Sequence, residues 1–422
     1  VVPIIRTETI PRHRAFFEAL AQADDQSDAW AAEHAGLVTL RFLDSWRVGG
    51  SAWSGDWSDA AFAYERDAVE SAIAAVPQAL AERRLLATIA ERVALARAGH
   101  SAAFMPPLFA YARALDLRSA WALAASVYGI LWESFVARDR IGPVDEEVAQ
   151  SVAQHLGNCH RMLGDHERAN QAFGAAIVLA TRRGDERATL LARLGQAKVL
   201  VRQGYLQEAE QRLTWIVGVA TGSHLAEVRA RAWHDLATVA HSKGQSLSGI
   251  EYAYEAWQAT EDAVERERVL ITLASLLLNA GYPDVSREAN ALLATTAVEP
   301  VVRWGATINL IEIATTERRE IDFARYRKAL AAVELPAFLA GEFHFYVGRG
   351  HLAFDQPALA AEAFGRAVAV AERHGLAELL VRAREQGPVV APKVAATASR
   401  PSAVMRVADA LHSARLLAAA GA

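Results

Sequence analysis

The chain has 422 residues, room for two or three ordinary domains or for one long repeat array. A net charge of −5 and a pI near 6.3 argue against a general nucleic-acid binder, which is basic overall. A single cysteine, Cys159, excludes an internal disulfide framework and a cysteine-based zinc site within the chain, and points to a reducing, cytoplasmic setting.

Residues 1–5 contain no methionine and lack the basic, apolar and small-residue order of a signal peptide. Trp46, Trp53 and Trp57 then stand among Gly49, Gly50 and Gly55. This aromatic loop either pins itself back onto neighbouring helices or offers a partner-binding hot spot, since Trp is enriched in both settings. Helical stretches are expected near 60–76 and 78–98, so residues 1–102 read as an N-terminal helical capping region. The apolar run at 119–132 is shorter than the roughly 18 residues that span a bilayer, and no membrane partner is expected.

From residue 103 a pattern recurs. Leu156-Gly157 is followed by Gly164-Asp165, Ala169, Phe173 and Ala176; Gly348 is followed at the same offsets by Asp355, Ala360, Phe364 and Ala367. Turn positions fall at Gly164, Gly204, Gly244 and Gly281, spaced 40, 40 and 37, and Asp355 lies 74 further on, twice 37. The skipped unit has Trp304, Ile308, Ile311 and Ala314 for a first helix and Phe323, Tyr326 and Leu330 for a second. Upstream, Leu108, Tyr111, Ala112 and Leu115 precede Ala124, Tyr128 and Leu131 in the same manner. In the Gly281 unit the second helix is expected to slip by a residue or more. Seven units therefore fill 103–385. Residues 386–402 have three prolines and linker composition, and 403–422 return to helix, either as a cap over the last repeat or as a tethered docking helix.

Small residues where helices cross, then a turn and an aromatic, resemble the tetratricopeptide-repeat family. The resemblance covers about two-thirds of the chain. It implies an all-α, right-handed α-solenoid of helix–turn–helix repeats whose residues present a surface and carry no chemistry.

Other chemistries are absent from the sequence. Asn170 stands where His166-Glu167 would need a second zinc-binding histidine, and Gly244 to Gly249 has serine in place of the second glycine of a nucleophile elbow. There is no phosphate-binding loop or G-x-G-x-x-G, so neither an enzyme nor a cofactor is expected. His155, Cys159 and His160 cluster in sequence, but His160 is rotated off the face shared by the other two, and Cys159 reads as a small packing residue.

In the family that this sequence resembles, the first helix of each repeat lines a groove. Its positions fall here on Arg161, Lys198, Arg202, Arg231, Arg268 and Arg349, with Glu342 as the acidic exception. Asn158, His234 and His241 are polar neighbours, and Asn158, Arg161 and Lys198 echo the family's peptide-carboxylate clamp. A basic groove in an acidic protein would favour a protein or peptide partner with an acidic segment. Two functions follow as expectations: a non-enzymatic adaptor or scaffold, or a peptide- or ligand-sensing module of a bacterial regulatory system.

Overall fold

Residues at left-handed backbone angles end the helices. In the computed structural model, which describes residues 13–23, 27–47, 58–97, 104–136, 143–374, 376–385 and 401–420, Gly164, Gly204, Gly244 and Gly281 all have φ between 71° and 84°. Glycine takes this conformation without the Cβ clash that other residues suffer. Ser119 (63°), Arg318 (54°) and Asp355 (58°) take it as well. Arg318 stands midway between Gly281 and Asp355, so the turn of the degenerate unit lies where the spacing placed it. After each such residue the next N–H returns to a carbonyl five positions back: Asp165 to His160 at 2.9 Å, Tyr282 to Leu277 at 2.9 Å, Arg319 to Ala314 at 2.8 Å. This satisfies a carbonyl that the helix end leaves open. Asp165, Asp185 and Asp262 then cap the helices that follow, accepting from Arg168, Ala188 and Glu265 N–H at 3.1, 2.8 and 2.8 Å.

All regular structure among the described residues is helical, apart from turns and bends, and the chain forms two compact units. The first, Val1–Tyr205, holds α1 (Arg14–Gln22), α2 (Asp28–Arg47), α3 (Asp59–Ala75), α4 (Ala81–Arg97), α5 (Met105–Leu117), α6 (Trp121–Val136), α7 (Pro143–Met162), α8 (His166–Arg182) and α9 (Glu186–Arg202). The second, Leu206–Ala422, begins with α10 (Leu206–Val219), α11 (Ala226–Ser242), α12 (Ser246–Ala259), α13 (Ala263–Asn279) and α14 (Pro283–Thr296). It continues with α15 (Pro300–Thr316), α16 (Glu320–Ala331), α17 (Ala337–Ala353), α18 (Pro357–His374), α19 (Ala377–Glu385) and α20 (Ser402–Ala420). No helix among the described residues is long and apolar enough to cross a membrane.

Close crossings follow the repeat. Phe173 of α8 is fully buried between two glycines: a Cβ on Gly157 of α7 would lie 2.8 Å from its ring, and one on Gly195 of α9 would lie 2.3 Å away. Without either Cβ the ring packs directly on both helix backbones, the tight contact that dense interiors require. Ala197, Ala237 and Ala274 are likewise wholly buried where neighbouring helices meet. Cys159 is buried as a small apolar residue, and burial pushes its thiol pKa well above the ordinary range.

Three expectations change. The second helix of the Gly281 unit keeps register: Ser286, Asn290 and Leu293 stand at the offsets of Ala169, Phe173 and Ala176 and are buried. Two of the three are polar, which disguises the register in sequence. They are satisfied internally, since Ser286 Oγ donates to the Ala274 carbonyl (2.7 Å), Asn290 donates to the Ser286 carbonyl (2.9 Å), and Asn309 donates to Asn290 Oδ1 (3.0 Å). The N-terminal region has α1 and α2 in addition to the two expected helices. The buried residues of α2, among them Ala32, Ala35, Leu37, Leu40 and Phe42, do not keep one stripe, because it packs on α1, α3 and α4. Trp46 belongs to the end of α2, while the rest of the expected aromatic loop, 48–57, lies outside the described residues. Finally, α20 does not cover the last repeat. Its Val404, Val407 and Leu411 are buried against α12 and α14, and Arg406 stacks 5.0 Å from the Tyr254 ring centre. The expected linker lies, but for its end, outside the described residues.

Candidate functional site

Consecutive odd-numbered helices touch: α7 with α9 in the first unit, and α11 with α13, α13 with α15, α15 with α17 and α17 with α19 in the second. Side chains at equivalent positions of the repeat therefore line up in rows across these helices. The nine residues singled out in sequence all lie on odd helices, four in the first unit and five in the second.

In the first unit Asn158 and Arg161 are half-buried on α7, and Lys198 is half-buried on α9. Arg202 is exposed on the last turn of α9, where a cation suits the negative end of the helix dipole. Asn158 and Lys198 are one 40-residue repeat apart.

In the second unit the rows are bonded across helices. His234 of α11 shares a hydrogen bond with Thr272 of α13 at 2.9 Å, and His241 meets Asn279 at 3.4 Å. Arg349 of α17 donates to Glu312 of α15 at 3.2 Å, and Arg382 of α19 donates to Glu342 of α17. Each partner stands 37 to 40 residues from its mate, about one repeat. Arg268 grips Glu299 with two parallel contacts, 2.8 and 3.1 Å, and also reaches Glu265 at 2.9 Å. Arg231 pairs with Glu227 at 2.8 Å.

The bases of the second unit are thus opposed. The sequence offered Glu342 as the one acidic groove residue; the structure adds Glu227, Glu265, Glu299 and Glu312, so this face carries ion pairs rather than a bare positive potential. Burial raises the pKa of Glu312, opposed mainly by Arg349, and burial raises that of Glu342, opposed mainly by Arg382. The Arg349 guanidinium also lies 5.9 and 5.6 Å from the ring centres of Phe345 and Tyr346, within cation–π range. Sequence reasoning missed Thr272, Glu312 and Arg382. Their signal was present as a polar residue one repeat away from a named one.

Between the N-terminal ends of α11 and α13 the face is indented by a cleft of about 490 Å³. Arg231 and His234 line one side and Asp262 and Glu265 the other, with Val269 among the apolar lining residues. Its volume is that of a site for one or two side chains.

No family model matches this chain, and no curated protein matches it. Several solved structures do. The apo form of the quorum sensor NprR from B. thuringiensis is 10% identical, with 81% of this chain and 88% of that one covered and a TM-score of 0.49. The Rap conjugation gene regulator of the plasmid pLS20, in complex with the Phr* peptide, is 11% identical over 82% of this chain and 98% of its own, with a TM-score of 0.48. A Rap protein complexed with competence and sporulation factor gives 11%, 82%, 99% and 0.47.

Proposed function

We propose that the chain is a non-enzymatic binding module that holds an extended peptide or protein segment against its odd-numbered helices. The observation that carries this is the set of polar rows in the second unit, His234 with Thr272, His241 with Asn279, and Arg349 with Glu312. Imidazole, hydroxyl and carboxamide groups repeated helix after helix match the donor and acceptor repeat of an extended backbone. The cleft at Arg231 and His234 takes a side chain from that segment. In the first unit, taken by itself, Asn158, Arg161, Lys198 and Arg202 lie on α7 and α9, where an acidic stretch of a partner would meet them.

An array of extended peptides, followed by fluorescence anisotropy on the peptides retained, tests this. Thr272→Val with Asn279→Ala, and separately Lys198→Glu with Arg202→Glu, should each weaken binding by about tenfold, the effect of one or two lost polar contacts. Glu251→Ala and Glu288→Ala, on exposed positions of even helices, should change it little. Equal loss from both sets, or no peptide retained with Kd below about 1 mM, would overturn the proposal.

A further inference from the structure

Peptide binding on the odd-numbered helices leaves the even-numbered helices of the second unit without a role. α12 and α14 are the second helices of successive repeats. Both pack on α13 and make little contact with each other, so a furrow runs between them. Stacked hairpins leave such furrows because each pair covers only part of its neighbour. This one is filled by α20.

The fit is specific. Ala403, Val404, Val407 and Leu411 form one stripe of α20, each 3% exposed or less. They belong to a single apolar cluster with Ile250 and Trp257 of α12 and Val285 and Leu293 of α14. Arg406, beside the stripe, lies 5.0 Å from the Tyr254 ring centre and 3.5 Å from the Glu255 carboxylate. The furrow therefore selects an amphipathic helix with branched aliphatic residues at i, i+3 and i+7 and a cation at i+2.

The same contacts are few enough to come apart. Four buried side chains must offset the ordering of a 19-residue helix that is marginal in water on its own. Met405 is 53% exposed, and the Arg406 and Glu255 side chains are each half exposed, so their pair exchanges for water at little cost. Residues 386–401, which join α20 to α19, hold three prolines and have linker composition, so departure of α20 breaks no repeat.

We propose that the α12–α14 furrow is a docking surface for an amphipathic helix of a partner protein, with α20 as its tethered occupant in the free chain. A helix that matches the pattern of Val404, Arg406, Val407 and Leu411 displaces it. The tether sets the threshold, because a tethered occupant acts at an effective concentration on the order of 1 mM. A second copy brings only the same helix, at lower concentration, and so gains nothing over α20 itself.

The test uses the full chain. Fluorescence anisotropy follows a labelled peptide of residues 402–420 with the parent and with a Val407→Asp, Leu411→Asp variant, which sheds its own α20. The variant should still fold and should bind the peptide with Kd below about 100 μM, the parent about tenfold more weakly. The peptide carrying the same two substitutions should not bind. The Arg406→Glu peptide should bind about fivefold more weakly, since it loses the stacking on Tyr254 and faces Glu255. In the parent alone, the amides of α20 should exchange hydrogen faster than those of α13. A variant that fails to fold, equal binding by parent and variant, no binding to the variant below roughly 1 mM, undiminished binding of either substituted peptide, or α20 amides as slow as those of α13 would overturn the proposal. A parent dimer that the two substitutions dissolve would overturn it as well, by giving the furrow to a second copy.

Discussion

Replacing Gly195 by alanine should destabilise the first unit, although alanine is the better helix former. The new Cβ would lie 2.3, 2.5 and 2.7 Å from three carbons of the Phe173 ring. The ring has no exposed surface, and its other side already faces Gly157, where a Cβ would sit 2.8 Å away. Withdrawal from α9 therefore drives it into α7. Overpacking of this kind costs about 1–3 kcal/mol, and the sandwiched ring places the cost in the upper half of that range. The helix-propensity gain of Gly→Ala returns about 1 kcal/mol, for a net loss of about 1–2 kcal/mol. Gly174, next to Phe173 in sequence, is the control: a Cβ there meets nothing within 4 Å, so Gly174→Ala should gain about 1 kcal/mol. The two variants should melt about 4–12 °C apart, at roughly 2–4 °C per kcal/mol for a unit of this size. Calorimetry gives the melting points, and hydrogen exchange of the α8 and α9 amides shows where the loss falls. In the Phe173→Leu background the Gly195→Ala penalty should shrink. If Gly195→Ala melts at or above the parent, the small–aromatic–small account of these crossings is wrong.

Two further outcomes follow from single residues. Arg318→Gly should stabilise the second unit by about 1 kcal/mol in urea titrations, because Arg318 holds φ 54° at a cost of roughly 1–2 kcal/mol, partly offset by glycine's greater freedom in the unfolded chain; an unchanged or lower midpoint would refute it. His160 has a folded pKa of about 4, below its ordinary 6.5, so the unfolded chain binds the extra proton between those values. The stability it contributes is complete above pH 6.5 and is lost as pH falls toward 4, by on the order of 2–3 kcal/mol. His160→Leu should flatten that part of the pH–stability curve, and an identical slope in parent and variant would refute the assignment.

The turns were legible because each is fixed by a local backbone demand that the chain meets with glycine. Where another residue meets it, as at Arg318, only the interval betrayed the turn. Gly157 and Phe173 could be read as packing partners, but Gly195 could not, because its role depends on how closely α9 approaches a ring belonging to the previous hairpin. Asn290 was obscured for a related reason. A polar residue at an aromatic's position looks like a broken register until Asn309, from the following helix, is found to satisfy it at 3.0 Å.

Charge on the odd helices obeys the same logic. Helix register places Arg231, Arg268 and Arg349 on one face from local sequence alone. Whether that face is positive depends on residues that arrive from elsewhere: Glu299 is 31 positions from Arg268, and Glu312 is 37 from Arg349. Coulomb attraction between such neighbours is decided by a few ångströms, well inside the screening length of about 8–10 Å. A repeat protein's sequence therefore declares which side chains share a face before it declares the potential of that face. For the second unit the function proposed above then rests on the hydrogen-bonding rows rather than on net charge, so a peptide held there should lose little affinity as salt is raised, and a steep loss in anisotropy titrations at increasing salt would refute this.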